Sequence, residues 1–121
     1  MTRSLLVVDD EKLVRWSIQT FMEKQDFRVV SSADGDDAVK KIENEKFDVI
    51  ITDLVLPGVN GLEIARRVRE IHPDTKIIMM TAYQSLLDMQ EAEKIGVRSF
   101  INKPFQVSEV KAIVSRLISK T

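Results

Sequence analysis

Over 121 residues, 18 basic side chains balance 19 acidic ones to a formal net charge of −1, with 44% of residues hydrophobic and 31% charged. That length suits one packed domain and the composition excludes disorder, while the lack of a basic excess excludes nucleic-acid binding by counterion release through this segment. With no cysteine and a single histidine, His72, disulfides, thiolate chemistry and every two-histidine site are excluded as well. No stretch approaches ~18 apolar residues, and the first residues lack the charged stretch, apolar run and cleavage site of a secretory leader. A soluble, cytoplasmic domain without membrane contact is expected.

In chain order, Leu5–Val8 is the first of five short apolar runs rich in β-branched residues, each predicting a strand. A helix follows on the stripe Val14, Ile18, Phe21 and Met22. The second run, Phe27–Val30, carries Arg28 and fades into Ser31 and Ser32, which suits an edge strand. Ala38, Val39 and Ile42 predict a short helix, and Val49–Ile51 the third strand. Leu62, Ala65, Val68 and Ile71 predict the third helix, and Ile77–Met80 the fourth strand. Met89, Ala92 and Ile95 mark a helix stopped by Gly96, ahead of a fifth strand at Val97–Ile101. Val107, Val110, Ile113, Val114, Leu117 and Ile118 predict the last helix. Strict alternation requires crossover connections, so the fold class is α/β: a doubly wound, five-stranded parallel sheet with five helices on both faces.

In such a sheet, ligands bind beyond the carboxyl ends of the strands. Asp9, Asp10 and Glu11 follow the first strand, Thr52 and Asp53 the third, Thr81 the fourth, and Asn102, Lys103 and Pro104 the fifth. An aspartate after a strand is often only a helix cap. Three gathered together repel by roughly 1 to 4 kcal/mol per pair at effective dielectrics of ~80 to 20, so their assembly points to a cation. Oxygen ligands without His or Cys select a hard ion, and Mg²⁺ accepts a few carboxylates plus water and phosphate oxygens. With a nearby hydroxyl and ammonium, this is apparatus for phosphoryl transfer, in which a carboxylate can itself be the acceptor.

The runs Val7-Val8-Asp9-Asp10-Glu11, Asp53-Leu54-Val55-Leu56-Pro57-Gly58, Asn60-Gly61-Leu62-Glu63, Thr81-Ala82 and Phe100-Ile101-Asn102-Lys103-Pro104-Phe105 resemble, in that order and spacing, the receiver domain of two-component response regulators. The resemblance extends from Leu5 to about Leu117, and one receiver domain over residues 1–121 is expected, with the flavodoxin-like strand order 2-1-3-4-5. It implies that Asp53 is the phosphoacceptor, charged by a sensor histidine kinase. Mg²⁺ would be bound by Asp10, Asp53 and the backbone carbonyl of Val55, with Asp9 acting through water. Lys103 would pair with the carboxylate and then the phosphoryl oxygens, Thr81 would donate its hydroxyl, and Phe100 would be the aromatic switch that tracks Thr81. A cis bond at Lys103-Pro104 is implied too. Val55 and Tyr83 would border the approach of hydrolytic water and tune dephosphorylation. Such a protein is a switch that catalyses only its own phosphorylation and dephosphorylation, not an enzyme. Its output would run through the fourth helix, fifth strand and fifth helix, where Leu87 lies off the apolar stripe and a homodimer could form.

Arg15-Trp16, Thr81-Ala82-Tyr83 and Asn102-Lys103-Pro104-Phe105 further resemble receivers of sigma-54-dependent transcription activators, which implies attached output domains; a free-standing receiver acting by protein binding or phosphorelay is the alternative. A flavodoxin-type carrier is disfavoured because Asp9-Asp10-Glu11 would repel a flavin phosphate. An aspartate-nucleophile phosphatase would need Asp-x-Asp after the first strand. A degenerate docking receiver would not need all five polar positions. Among the remaining residues, Pro57-Gly58 and Asn60-Gly61 read as tight turns, and His72 before Pro73 as a surface residue. Trp16 reads as packed on its own helix or neighbouring loops, and Arg66-Arg67-Val68-Arg69 as a solvated face.

Overall fold

A computed structural model describes residues 2–82 and 86–119. The predicted alternation is present: β1 (Arg3–Val8), α1 (Lys12–Glu23), β2 (Phe27–Ser32), α2 (Gly35–Asn44), β3 (Val49–Asp53), α3 (Gly61–Ile71), β4 (Lys76–Thr81), α4 (Leu86–Ile95), β5 (Ser99–Asn102) and α5 (Val107–Ser119). All strand pairings are parallel, in the order β2-β1-β3-β4-β5, so β2 is an edge as its polar composition requires.

Period-2 alternation divides each central strand between two cores. Leu5, Val7, Val49, Ile51, Ile78 and Met80 pack toward Ile18, Met22, Val110 and Val114 of α1 and α5. Leu6, Val8, Ile50, Ile77 and Met79 pack toward Ala38, Ile42, Ile64, Val68 and Ala92 of α2, α3 and α4. Asp53 continues the parity of Val49 and Ile51, toward α1 and α5. Thr81 continues that of Ile77 and Met79, on the side where Phe100 packs.

Tertiary packing corrects several local expectations. Strand β5 starts at Ser99, because Val97 still donates its N–H to the Ala92 carbonyl (3.0 Å) and is buried as a plug behind α4. The buried face of α3 is rotated toward Ile64, leaving Leu62 and Ile71 only half-buried. Trp16 is 61% exposed, since α1 turns Ile18 and Met22 to the sheet instead. Asn60 caps α3, accepting the Glu63 N–H at 3.0 Å, and does not form a turn with Gly61. His72 is half-buried with Nε2 2.9 Å from the Ile42 carbonyl, so it ties α3 to α2. The arginine run is a solvated face at Arg66 and Arg67, whose side chains stay 47% and 39% exposed while pairing with Glu91 of α4 and Glu43 of α2, but not at Arg69, which donates to backbone carbonyls.

Candidate phosphoryl-transfer site

The carboxyl ends of β1, β3, β4 and β5 converge as the register demands, with Val8 beside Thr52, Asp53 beside Met80, and Thr81 beside Asn102. Loop hydrogen bonds extend this pairing past the strands. The Leu54 N–H donates to the Met80 carbonyl (2.9 Å), and the Lys103 N–H to the Thr81 carbonyl (2.8 Å). Gly61 is required here by close approach: a Cβ would stand 2.4 Å from the Asp53 carbonyl oxygen. Any side chain at the start of α3 would therefore push the loop off Asp53.

Asp9 and Asp53 are held in matching ways. Each accepts the N–H of the residue two positions on, Asp9 Oδ1 from Glu11 at 2.8 Å and Asp53 Oδ1 from Val55 at 3.3 Å. Each gives its other oxygen to Lys103 Nζ, Asp9 Oδ2 at 2.6 Å and Asp53 Oδ2 at 2.8 Å. Lys103 thus bridges two buried carboxylates, with Glu11 3.5 Å away as an exposed third. Asp10 is solvent-exposed at the rim, and one carboxylate oxygen from each of Asp9, Asp10 and Asp53 lies within 4.8 Å of the others.

Burial raises the Asp9 pKa above its ordinary value, and the hydrogen bonds from Lys103 and the Glu11 N–H counter it only in part. Burial also works against the Lys103 charge, but its hydrogen bonds to Asp53 and Asp9 outweigh that and raise its pKa. The ammonium therefore stays charged at neutral pH. Three converging carboxylates with oxygen donors alone fit a hard divalent cation, and one ammonium offsets only part of their charge.

Of the other expected residues, Thr81 is buried at the end of β4 and Phe100 is half-buried on β5. The Val55 side chain is 70% exposed beside Asp53. Tyr83 lies outside the described residues. The Lys103–Pro104 bond is cis, as the resemblance implies. A groove of about 430 Å³, lined by Leu13, Val14, Ala82, Pro104, Phe105 and Val107, opens directly beside Lys103. Arg15 carries no site role in the sequence reading, yet its Nη1 donates to the Asp9 carbonyl at 2.8 Å. The sequence held no signal for this contact, because the acceptor is a backbone carbonyl that Arg15 meets only once α1 folds back on the end of β1.

Comparison with known proteins bears on the family and the fold. Residues 5–115 match the model of the response regulator receiver domain family. The alkaline phosphatase synthesis transcriptional regulatory protein PhoP of Bacillus subtilis (strain 168) is 32% identical over 121 residues, which are all of this chain and 50% of that protein. The sporulation initiation phosphotransferase F of the same organism is 29% identical over 118 residues, 98% of this chain and 95% of that protein. The chain thus spans half the length of the first relative and nearly all of the second. A crystal structure of a CheY-like response regulator receiver domain protein from Methanospirillum hungatei JF-1 superposes with a TM-score of 0.92 at 28% identity, covering 98% of this chain and 96% of that one.

Proposed function

The chain belongs to the response regulator receiver domain family of two-component signalling, and from that membership we propose that Asp53 accepts a phosphoryl group from a phosphohistidine of a sensor kinase. The observation that carries this reading is the Lys103 bridge between Asp53 and Asp9, with Asp10 completing the carboxylate cluster. In the transfer, the P–N bond of the donor, protonated on its other ring nitrogen, breaks with its electron pair left on nitrogen as a P–O bond forms to an Asp53 carboxylate oxygen, so that neutral imidazole remains on the kinase. Asp10, Asp53 and the Val55 carbonyl would hold Mg²⁺, supported by Asp9, and the ion would neutralise the oxygens of the moving group. Lys103 exchanges part of its hold on the carboxylates for a phosphoryl oxygen. Thr81 donates its hydroxyl to the same group, and Phe100, on that side of the sheet, packs into the space it leaves. The apolar groove beside Lys103 gives the donor protein a surface next to the acceptor.

Receiver domains are signalling switches and not enzymes with a separate substrate. The switched surface in this reading is α4, β5 and α5, where Leu86 and Leu87 are 72% and 77% exposed and available to an output domain or a second copy. Regulation of transcription through attached domains in the cytoplasm is supported by the relation to a transcriptional regulatory protein twice this length, with the sigma-54 activators as the subtype that Arg15-Trp16 and Thr81-Ala82-Tyr83 resemble. A free-standing phosphorelay carrier is supported by coverage of nearly the whole sporulation phosphotransferase. Reading the gene past Thr121 separates the two.

Incubation with Mg²⁺ and acetyl phosphate, followed by intact mass, should show a gain of one phosphoryl group that Asp53→Asn abolishes. Full labelling of that variant would overturn the assignment.

A further inference from the structure

Asp9 has all four of its polar groups engaged within the protein. Its N–H donates to the Ser32 carbonyl (3.2 Å), Oδ1 accepts from the Glu11 N–H (2.8 Å), Oδ2 accepts from Lys103 (2.6 Å), and its carbonyl accepts from Arg15 Nη1 (2.8 Å). Three of these bonds hold Asp9 itself. The Arg15 bond does something further, because the Asp9 carbonyl belongs to the peptide unit that leads into Asp10.

Asp10 is the exposed member of the cluster and cannot be held by packing. Its backbone is defined by the two planar peptide units on either side of it. The following unit is fixed where the Glu11 N–H meets Asp9 Oδ1, and the preceding one where the Asp9 carbonyl meets Arg15. With both planes fixed, the Asp10 Cα–Cβ bond starts from a set direction, and its carboxylate comes within 4.8 Å of those of Asp9 and Asp53. Helical side chains lean toward the helix N-terminus, so a long residue at position 15 of α1 reaches back to the end of β1. A guanidinium makes that a charge-assisted bond. Bound to the Asp9 carbonyl, it adds positive charge next to the acidic cluster without taking up a carboxylate oxygen.

We propose that Arg15 is a positioning residue that holds the Asp9–Asp10 peptide and thereby presents the Asp10 carboxylate to the cation. The proposal rests on reading the cluster as a Mg²⁺ site. Arg15 touches neither the cation nor the phosphoryl group, and its effect passes through Asp10.

The test uses the intact chain with Arg15→Met, which keeps the apolar stem and loses the donors, and Arg15→Lys, which keeps a charged donor. Calorimetric titration with Mg²⁺ should show affinity reduced roughly tenfold or more in Arg15→Met, in the range lost when outer supports of metal ligands are removed. Arg15→Lys should recover most of it. In metal-free protein, the backbone amide signals of Asp10 and Glu11 should shift or broaden in Arg15→Met and stay near wild type in Arg15→Lys. Labelling by acetyl phosphate should half-saturate at higher Mg²⁺ while its plateau rate stays within about threefold of wild type, the signature of lost ion binding and not of lost chemistry. A folded Arg15→Met that binds Mg²⁺ as tightly as wild type overturns this inference alone. A wild type that binds no Mg²⁺ overturns the reading of the site and this inference with it.

Discussion

Gly96 leaves room for Arg69: a Cβ at Gly96 would stand 2.9 Å from the guanidinium Nε. Through that opening Arg69 donates Nε to the Ile95 carbonyl (3.2 Å) and Nη2 to the Gly96 carbonyl (3.3 Å) at the end of α4. Its Nη1 reaches the Pro73 and Thr75 carbonyls (2.9 and 2.8 Å) in the turn that ends α3. One planar fork thus satisfies carbonyls of two chain segments, three of them in partly buried bonds. Helix α4 has Ala92 as its buried residue, so this clasp does much to hold it against α3, with the exposed Arg66–Glu91 pair adding little.

Arg69→Ala should therefore destabilise the domain by about 2 to 4 kcal/mol, because it removes charge-assisted bonds and leaves partly buried carbonyls without a donor. Arg69→Lys should recover less than half of that, since one ammonium cannot span both segments. Gly96→Ala should cost roughly 1 to 2 kcal/mol from its positive φ of 107° alone, plus displacement of Arg69. Urea unfolding measures all three, and a loss below about 0.5 kcal/mol for Arg69→Ala would show that water replaces the clasp.

Carboxylate crowding gives the metal-free protein a defined weakness. Lys103 pairs with Asp9 and Asp53, while the Asp10 carboxylate adds charge at the rim of the same cluster. In EDTA, Asp10→Asn should melt about 2 to 5 °C above wild type, equivalent to roughly 1 kcal/mol. Mg²⁺ at about 100 times its Kd should stabilise wild type by about 2.7 kcal/mol and the variant far less. A variant melting below wild type in EDTA would mean that the cluster carries no repulsion.

Acid sensitivity should come in part from Asp37. Its hydrogen bonds from Lys41 (2.8 Å) and the Ser32 hydroxyl (2.7 Å) hold its pKa below the usual aspartate value. A carboxyl with a depressed folded pKa contributes stability above its unfolded pKa of about 4 and loses it as pH falls through the folded value. Both partners are more than a third exposed, so solvent screening limits the contribution to about 1 kcal/mol or less. Asp37→Asn should thus be weaker than wild type at neutral pH, and the gap should close in strong acid. An equal gap at both pH values would place the effect in packing instead.

The lifetime of the phosphoryl group should depend on Val55 and Tyr83. The exposed Val55 side chain borders Asp53 and offers hydrolytic water no hydrogen bond. The double variant Val55→Asn, Tyr83→Glu should lose its phosphoryl group faster than wild type at matched Mg²⁺ and pH, with decay followed by intact mass. Equal decay rates would show that these two residues do not set the lifetime.

Local periodicity determined most of the fold. Apolar runs at period 2 and stripes at period 3.6 need only near neighbours in the chain, so five strands, five helices and their doubly wound arrangement were legible in the sequence. The candidate site was legible for a related reason: Asp9, Asp10, Asp53, Thr81 and Lys103 all fall at or just beyond strand ends, and a parallel sheet must bring those ends to one edge. Tertiary structure alone decided what the arginines do. Arg69 looks solvated in sequence because its acceptors are backbone carbonyls at residues 73, 75, 95 and 96, which have no residue-type signal and meet only when α3 lies beside α4. Arg15 is the same case on the other face of the sheet, since its acceptor is the Asp9 backbone. The exposure of Trp16 and the burial of Val97 also depended on which helix face met the sheet and where α4 ended. Side-chain chemistry is written in the sequence, whereas a bond to a backbone carbonyl is a property of place, and place comes from packing.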